Sequence, residues 1–276
     1  MENRICPIDG INDERVAVYI QYNEPQLLHF NEPKSGVFIA ETPMVIERAL
    51  RRGVKPLSLF VETGALQREE LRDIIALSGD VPIYTAELSE INKTTGFNLT
   101  RGVLAAFERP VQPDYRQILD SSSRIAVLEE VVNPTNLGAI FRSAAALGVE
   151  AILITHGSTN PLYRRATRVS MGTVLQLPWA YLPTGTNVPD ALHEAGFTVI
   201  SMALRDDAVP LDDPALRGHD RIAIVFGNEA DGIGEETLSG SDFVAIIPMQ
   251  NGVDSLNVAA ASAVAFWELC GRKRLT

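Results

Sequence analysis

The chain has 276 residues, 46% hydrophobic and 21% charged, which suits two ordinary globular domains with sizeable cores. No apolar run reaches the roughly 18–20 residues of a membrane span. Residues 1–10 carry no basic-then-apolar leader, and the two cysteines, Cys6 and Cys270, give no disulfide framework, so a reducing cytoplasm is expected. The net charge of −11 counts against nucleic-acid binding, which usually shows a basic footprint that neutralises phosphates, though an acidic protein can still carry a local basic face.

In chain order, residues 1–14 are polar and predict a loosely docked arm. Residues 16–20 alternate weakly and read as a short strand. A β-rich run at 36–40 leads into an amphipathic stretch at 44–52, with Thr42 the expected N-cap, Pro43 the first helical residue and Gly53 the stop. Strands follow at 57–61, 81–84 and 103–107, separated by helices at 67–77 and 86–92. This β-α-β-α-β order predicts a small α/β domain over residues 1–108. The stretch 109–123 is rich in Pro, Asp, Gln and Ser and reads as a linker with one helical turn near 115–119.

Residues 124–276 form the second predicted domain. An apolar strand at 124–132 precedes a loop and a helix over 138–147. A strand at 151–155 and a helical stretch at 167–174 come next, then a helix at 188–195, strands at 198–202, 221–226 and 243–247, and a long apolar helix at 256–269. Strands buried on both faces and alternating with helices predict a mostly parallel sheet flanked by helices. Two basic clusters stand out, Arg48, Arg51, Arg52 with Lys55, and Arg164, Arg165 with Arg168. Each is either a solvated helix face or a strip that grips phosphates. None of the four histidines has metal-ligand spacing, and no metal is expected. His156 alone stands near a candidate ligand loop, and it reads as an ordinary loop histidine.

In open α/β sheets, ligands gather beyond the carboxyl ends of the strands, and three loops here are loaded with small and polar residues. The first, Asn133-Pro134-Thr135-Asn136, opens a helix that carries Gly138 and Arg142; Asn136 is a candidate cap. The second, Gly227-Asn228-Glu229-Ala230-Asp231-Gly232, exposes backbone groups suited to an adenosine moiety. The third runs from Ile247-Pro248-Met249 to Ser255-Leu256-Asn257-Val258, with Ser255 the expected N-cap and Asn257 left to be explained otherwise.

Singly each loop is ambiguous. Together, in this order and spacing, they resemble the three signature motifs of the SpoU family of RNA 2′-O-ribose methyltransferases, in the SPOUT superfamily. Asn136 with Arg142 six residues on matches the first motif, Gly227-Asn228-Glu229 the second, and Ile247-Pro248-Met249 with Ser255 to Val258 the third. Arg168-Val169-Ser170-Met171-Gly172 matches an intermediate element, and Ala230 departs from a common Gly. Residues 42–62 are similar to the L30e-like substrate-binding domain that precedes the catalytic domain in many relatives.

The resemblance implies a deep trefoil knot formed by the C-terminal segment, a homodimer, and S-adenosylmethionine as cofactor. It implies cofactor contacts at Gly227, Asn228, Glu229, Gly232, Ile247, Met249, Ser255, Leu256, Asn257 and Ala259, with Thr155 and Gly157 expected to add to them. Arg142 would hold a phosphate and the developing alkoxide, Glu229 would fix Arg142, and Asn136, Ser255 and Asn257 would orient Arg142 and the ribose. Ribosomal RNA is the first expected substrate and transfer RNA the second, gripped in part by the arginines of the two basic clusters. The alternative is a catalytically silent RNA-binding or ribosome-assembly factor on the same fold. A nicotinamide enzyme is disfavoured, because no Gly-x-Gly-x-x-Gly turn follows an early strand.

Overall fold

The computed structural model describes residues 4–10, 12–32, 35–95 and 102–271; residues 1–3 and 11 of the expected arm lie outside them. By internal contacts the chain forms two units, Met1–Val111 with Leu162–Leu175, and Gln112–Pro161 with Gln176–Thr276.

The first unit holds β1 (Ile5–Pro7), α1 (Ala17–Ile20), α2 (Glu24–Leu28), β2 (Val37–Glu41), α3 (Pro43–Arg51), β3 (Pro56–Glu62), α4 (Glu69–Leu77), β4 (Ile83–Ala86), α5 (Leu88–Thr95) and β5 (Val103–Glu108). Its sheet runs β1-β4-β3-β5-β2, with parallel pairing across the first three strands and antiparallel pairing of β5 with both β3 and β2. The arm is therefore not wholly loose, since Ile5–Pro7 pairs with β4. Residues 16–20, expected as a strand, are helical. Asp13 accepts the Arg15 N–H at 2.9 Å and starts the turn that leads into α1, and Tyr19 buries its ring while its hydroxyl meets Ser58. Pro43 opens α3, but Thr42 has φ 77° and makes no side-chain cap. Gly53, with φ 73°, terminates the helix in a conformation that a Cβ disfavours.

The second unit begins with α6 (Tyr115–Ser121), within the stretch read as a linker. Asp114 and Gln117 form a capping box around its first turn, and Ile118 and Leu119 bury in the unit's core. Amphipathic spacing over seven residues is too short to stand out among prolines. Then come β6 (Arg124–Leu128), α7 (Pro134–Leu147) and β7 (Ala151–Ile154). After the segment that counts with the first unit, which carries α8 (Arg164–Val169), the chain continues as β8 (Trp179–Tyr181), α9 (Val188–Glu194), β9 (Thr198–Met202), β10 (Val209–Pro210), β11 (Ile222–Phe226), α10 (Glu235–Gly240), β12 (Phe243–Ile246) and α11 (Val258–Phe266). All seven strands are parallel, in the order β10-β12-β9-β11-β6-β7-β8. The Val, Ile, Leu and Ala residues of β6, β7, β8, β9 and β11 are buried on both faces, as a sheet covered by helices requires. The fold is thus α/β with a large parallel sheet, and every strand delivers its following loop to one edge.

Candidate active site

Loops that follow β6, β11 and β12 build the site, on a sheet edge where β9 stands between β11 and β12. After β11, the chain folds back on itself. Asn228 N–H donates to the Gly232 carbonyl at 2.8 Å, and the Gly232 N–H returns to Asn228 at 3.0 Å. A Cβ on Gly227 would lie 2.2 Å from the Gly232 carbonyl, so only glycine fits. The Asn228 side chain fastens the turn. Its carbonyl accepts from Ala230 N–H at 2.7 Å, and its amide donates to the Glu130 carbonyl at 2.9 Å.

Glu229 projects from this turn toward the start of α7. Its carboxylate accepts from Asn136 Nδ2 at 2.9 Å, from the Asn133 N–H at 3.2 Å and from the Val132 N–H at 3.4 Å. Asn136 Oδ1 in turn accepts from Asn257 Nδ2 at 3.1 Å. One side chain from each of the three loops thus joins a single chain of hydrogen bonds. The capping roles differ from the expectation. Asn133, not Asn136, caps α7, and Asn257, not Ser255, caps α11 by accepting the Ala259 N–H at 3.0 Å. Each helix starts at a different residue than expected, which moves Asn136 into the first turn of α7 and frees Ser255 to face the cavity.

That cavity, of about 530 Å³, opens between the ends of β9, β11 and β12. This volume suits a cofactor-sized ligand. Of the residues expected to touch a cofactor, Gly227, Asn228, Glu229, Gly232, Ile247, Met249, Ser255, Leu256 and Asn257 line it; Thr155, Gly157 and Ala259 do not. Thr155 Oγ1 instead accepts the Glu130 N–H at 2.9 Å. Ala259 is spent on the helix cap. The sequence reading missed Met202 to Leu204, at the end of β9, and Asp254; Asp231 it placed within the glycine turn without singling out its side chain. The β9 end was legible in principle, because β9 adjoins β11 at the edge where ligands collect. Among the described residues, three carboxylates and no lysine or arginine line the cavity.

A family model for the SpoU rRNA methylase family matches residues 123–267. The chain belongs to that family. An uncharacterized tRNA/rRNA methyltransferase of Mycobacterium bovis is 41% identical over 234 residues, covering 84% of this chain and 80% of that protein. An AdoMet-bound rRNA methyltransferase from Sinorhizobium meliloti superposes with a TM-score of 0.80 at 24% identity, over 99% of both chains. The SpoU methyltransferase AviRb of Streptomyces viridochromogenes, in complex with AdoMet, gives 0.78 at 19% identity, over 95% of this chain and 99% of its own. A structure described as an RNA 2′-O ribose methyltransferase gives 0.79 at 24%, over 99% of this chain and all of its own. At such identities these structures establish the shared fold.

In this SpoU-family chain Arg142 is exposed, and its guanidinium has no hydrogen-bond or ion-pair partner among the described residues. Glu229 does not hold it, contrary to expectation. The reason is helical geometry. Arg142 lies six residues beyond Asn136, about 240° around the helix, so the two project from different faces. The basic clusters divide as well. Arg168 pairs with buried Glu41 at 3.0 Å. The Arg164 side chain donates to the Tyr19 carbonyl at 2.9 Å, and its N–H to Glu24 at 2.8 Å. Arg48 donates to the Met171 carbonyl at 2.6 Å. These three are turned inward within the first unit. Arg51 is exposed on an i,i+4 pair with Glu47, and Arg52 and Arg165 are exposed. Burial raises the carboxyl pKa of both Glu41 and Glu24, with their arginine neighbours acting in opposition. Each also keeps one buried oxygen without a hydrogen-bond partner. Among the described residues no group of three or more His, Cys, Asp or Glu is placed to hold a metal, and no helix is long and apolar enough to cross a membrane.

Proposed function

We propose that this protein uses S-adenosylmethionine to methylate a ribose 2′-hydroxyl in RNA, with ribosomal RNA the favoured substrate and transfer RNA the second. The observation that carries this reading is the hydrogen-bonded chain Glu229–Asn136–Asn257, which joins three loops beside an acid-lined cavity. The relatives named as tRNA/rRNA methyltransferases and the fold neighbour described as a 2′-O ribose methyltransferase support it.

The cofactor fits what lines the cavity. It carries a sulfonium and an ammonium against one carboxylate, so its net charge is positive, and Glu229, Asp231 and Asp254 complement that charge. Backbone groups of the glycine turn suit an adenine edge. When bound, S-adenosylmethionine supplies an electrophilic methyl group. Everything else falls to the protein, whose main contribution is alignment and exclusion of water, worth several kcal/mol, about 7–11 at best. Arg142, with a guanidinium pKa of roughly 12–14, keeps its proton. It clamps the phosphate beside the target ribose and stabilises the alkoxide as it forms, while that phosphate or a water takes the proton. Asn136 and Asn257 hold the ribose edge, and Ser255 faces it across the cavity.

The first unit acts, in this reading, as an L30e-like RNA-holding domain, with Arg51, Arg52 and Arg165 the outward-facing cations. The C-terminal segment is threaded as a trefoil knot, and the enzyme works in the cytoplasm as a homodimer. Ala260, Val264 and Trp267 form an exposed stripe at i, i+4, i+7 on α11 and the turn after it, which suits burial against a second copy. Isothermal titration with S-adenosylmethionine, followed by tritium transfer to bulk RNA, tests the activity. Arg142→Ala should bind cofactor as the wild type does and lose at least 100-fold in transfer rate. Transfer at the wild-type rate would remove Arg142 from the mechanism, and no titration by the wild type would remove the cofactor.

A further inference from the structure

The carboxyl edge of the parallel sheet continues past the cavity to β7 and β8, and a second group of side chains collects there. His156, just after β7, stacks on Tyr181 at the end of β8, with ring centroids 5.1 Å apart and planes 17° from parallel. Tyr181 meets Trp179 edge-on at 6.0 Å, and Trp179 is buried. The aromatic column is thus anchored in the sheet at one end. His156 is exposed at the other, so its ring, stacked on Tyr181, also reaches solvent. A flat ring already held in place is a stacking surface that needs little further ordering to bind.

Glu130 adjoins it. This residue has φ 54°, a left-handed conformation that glycine adopts far more readily. Two side chains hold it there. Thr155 Oγ1 accepts its N–H at 2.9 Å, and Asn228 Nδ2 donates to its carbonyl at 2.9 Å. The exposed Glu130 side chain lies over Gly157. A Cβ there would come within 2.6 Å of Glu130 Cγ and 3.1 Å of its Oε1. Gly157, expected to touch the cofactor, is instead the residue that admits a carboxylate next to His156. That carboxylate has no hydrogen-bond or ion-pair partner among the described residues.

The group is continuous with the active site, because Asn228 both lines the cavity and fastens Glu130. β8 stands three strands from β11, on the order of 14 Å along the edge. A nucleotide next to the one whose ribose faces the cavity can span that interval. We propose that His156 and Glu130 form a subsite for the nucleobase flanking the methylated nucleotide. The base stacks on the imidazole, and the carboxylate accepts from its amino group. Histidine is among the side chains on which unpaired RNA bases stack, and a carboxylate selects cytosine through its N4 amino group while repelling the uracil O4. The subsite rests on the RNA methyltransferase reading for its place in a reaction.

The test measures binding of fluorescently labelled oligo(C) and oligo(U) to the full-length protein, beside titration with S-adenosylmethionine. Oligo(C) should bind at least threefold tighter than oligo(U), and Glu130→Gln should erase that preference. His156→Ala should weaken both by about 5- to 150-fold, the range expected for loss of one base stack, and raise KM for bulk RNA in parallel. His156→Phe should restore binding to within about threefold. Unchanged cofactor affinity in each variant shows that the fold is intact. Wild-type RNA affinity in His156→Ala, or oligo(U) binding as tightly as oligo(C), would overturn the subsite. Absence of methyl transfer by a wild type that still discriminates the two oligomers would instead overturn the enzymatic reading and leave the subsite standing.

Discussion

Glu229→Gln keeps the size of the side chain and removes its charge, which makes it a sharp probe of the three-loop network. A glutamine offers one acceptor oxygen where glutamate offers two. Turned toward Asn136, that oxygen retains the 2.9 Å bond to Nδ2 and the 3.2 Å bond from the Asn133 N–H, but it sets an NH2 group against the Val132 N–H. A hydrogen bond to a charged acceptor contributes about 1.5–3 kcal/mol and a neutral one about 0.5–1.5, so two bonds each lose about 1 kcal/mol. Glu229 is exposed, and solvent screening reduces the sum to about 1–1.5 kcal/mol. That corresponds to a factor of about 5–15 in kcat/KM for RNA. Tritium transfer to bulk RNA at limiting substrate reads it directly, and a thermal melt checks that the fold is intact. The same assay on Asn136→Ala and on the double variant should give a non-additive cycle, since one change weakens and the other removes the same hydrogen bond. A Glu229→Gln enzyme within twofold of wild type, or a strictly additive cycle, would refute the idea that this carboxylate organises the site.

Gly227→Ala forces a Cβ to 2.2 Å from the Gly232 carbonyl. Because the obstacle is backbone, the turn must open, and cofactor affinity by isothermal titration should drop at least tenfold, in line with overpacking costs of about 1–3 kcal/mol. Val264→Glu places a charge in the exposed stripe on α11 and should shift sedimentation from dimer to monomer; an unchanged profile would move the interface elsewhere. Glu41 and Glu24 have carboxyl pKa values raised by burial. A raised carboxyl pKa means that the folded chain holds the proton more tightly than the unfolded one. The resulting stabilisation is complete below the ordinary glutamate range, near 4.3, and is lost as pH rises through the raised values. Thermal melts across that window should show stability falling with pH in the wild type and a flatter profile in Glu41→Gln; identical slopes would contradict it.

The place of the candidate site was legible because it sits where strands end, and strand ends show in sequence as an apolar run followed by small polar residues. Its chemistry was not, since each loop alone is ambiguous and only the joint resemblance of the three to a known family assigns one to Gly227, Glu229 and Asn257. Which residue begins each helix was not legible to within a turn. Asn133 and Asn136 are equally good caps by type, and only the path of the chain after Val131 selects the first. The fate of Arg164 and Arg168 was hidden for a different reason. Their acceptors, Tyr19, Glu24 and Glu41, lie more than 100 residues away in the chain, and no local pattern reports such a pairing. Residues 16–20 carry β-branched residues and fold as helix all the same, because Asp13 starts a turn and tertiary burial of Tyr19 outweighs a weak propensity. The role of Gly157 is likewise set by a side chain, Glu130, that the spacing alone did not bring near it.

Leu162–Leu175 leaves between β7 and β8 and counts with the first unit. The polypeptide therefore passes from one unit to the other three times, after Val111, after Pro161 and after Leu175. Such a protein cannot be cut into two independently inherited modules at a single point. Cleavage after Val111 would strip the N-terminal piece of α8 and leave Glu24 and Glu41 as buried acids facing no guanidinium from that helix. Gene fusions or domain exchanges in this lineage would have to carry the inserted stretch along with its acceptor, which ties the evolution of the first unit to that of the second.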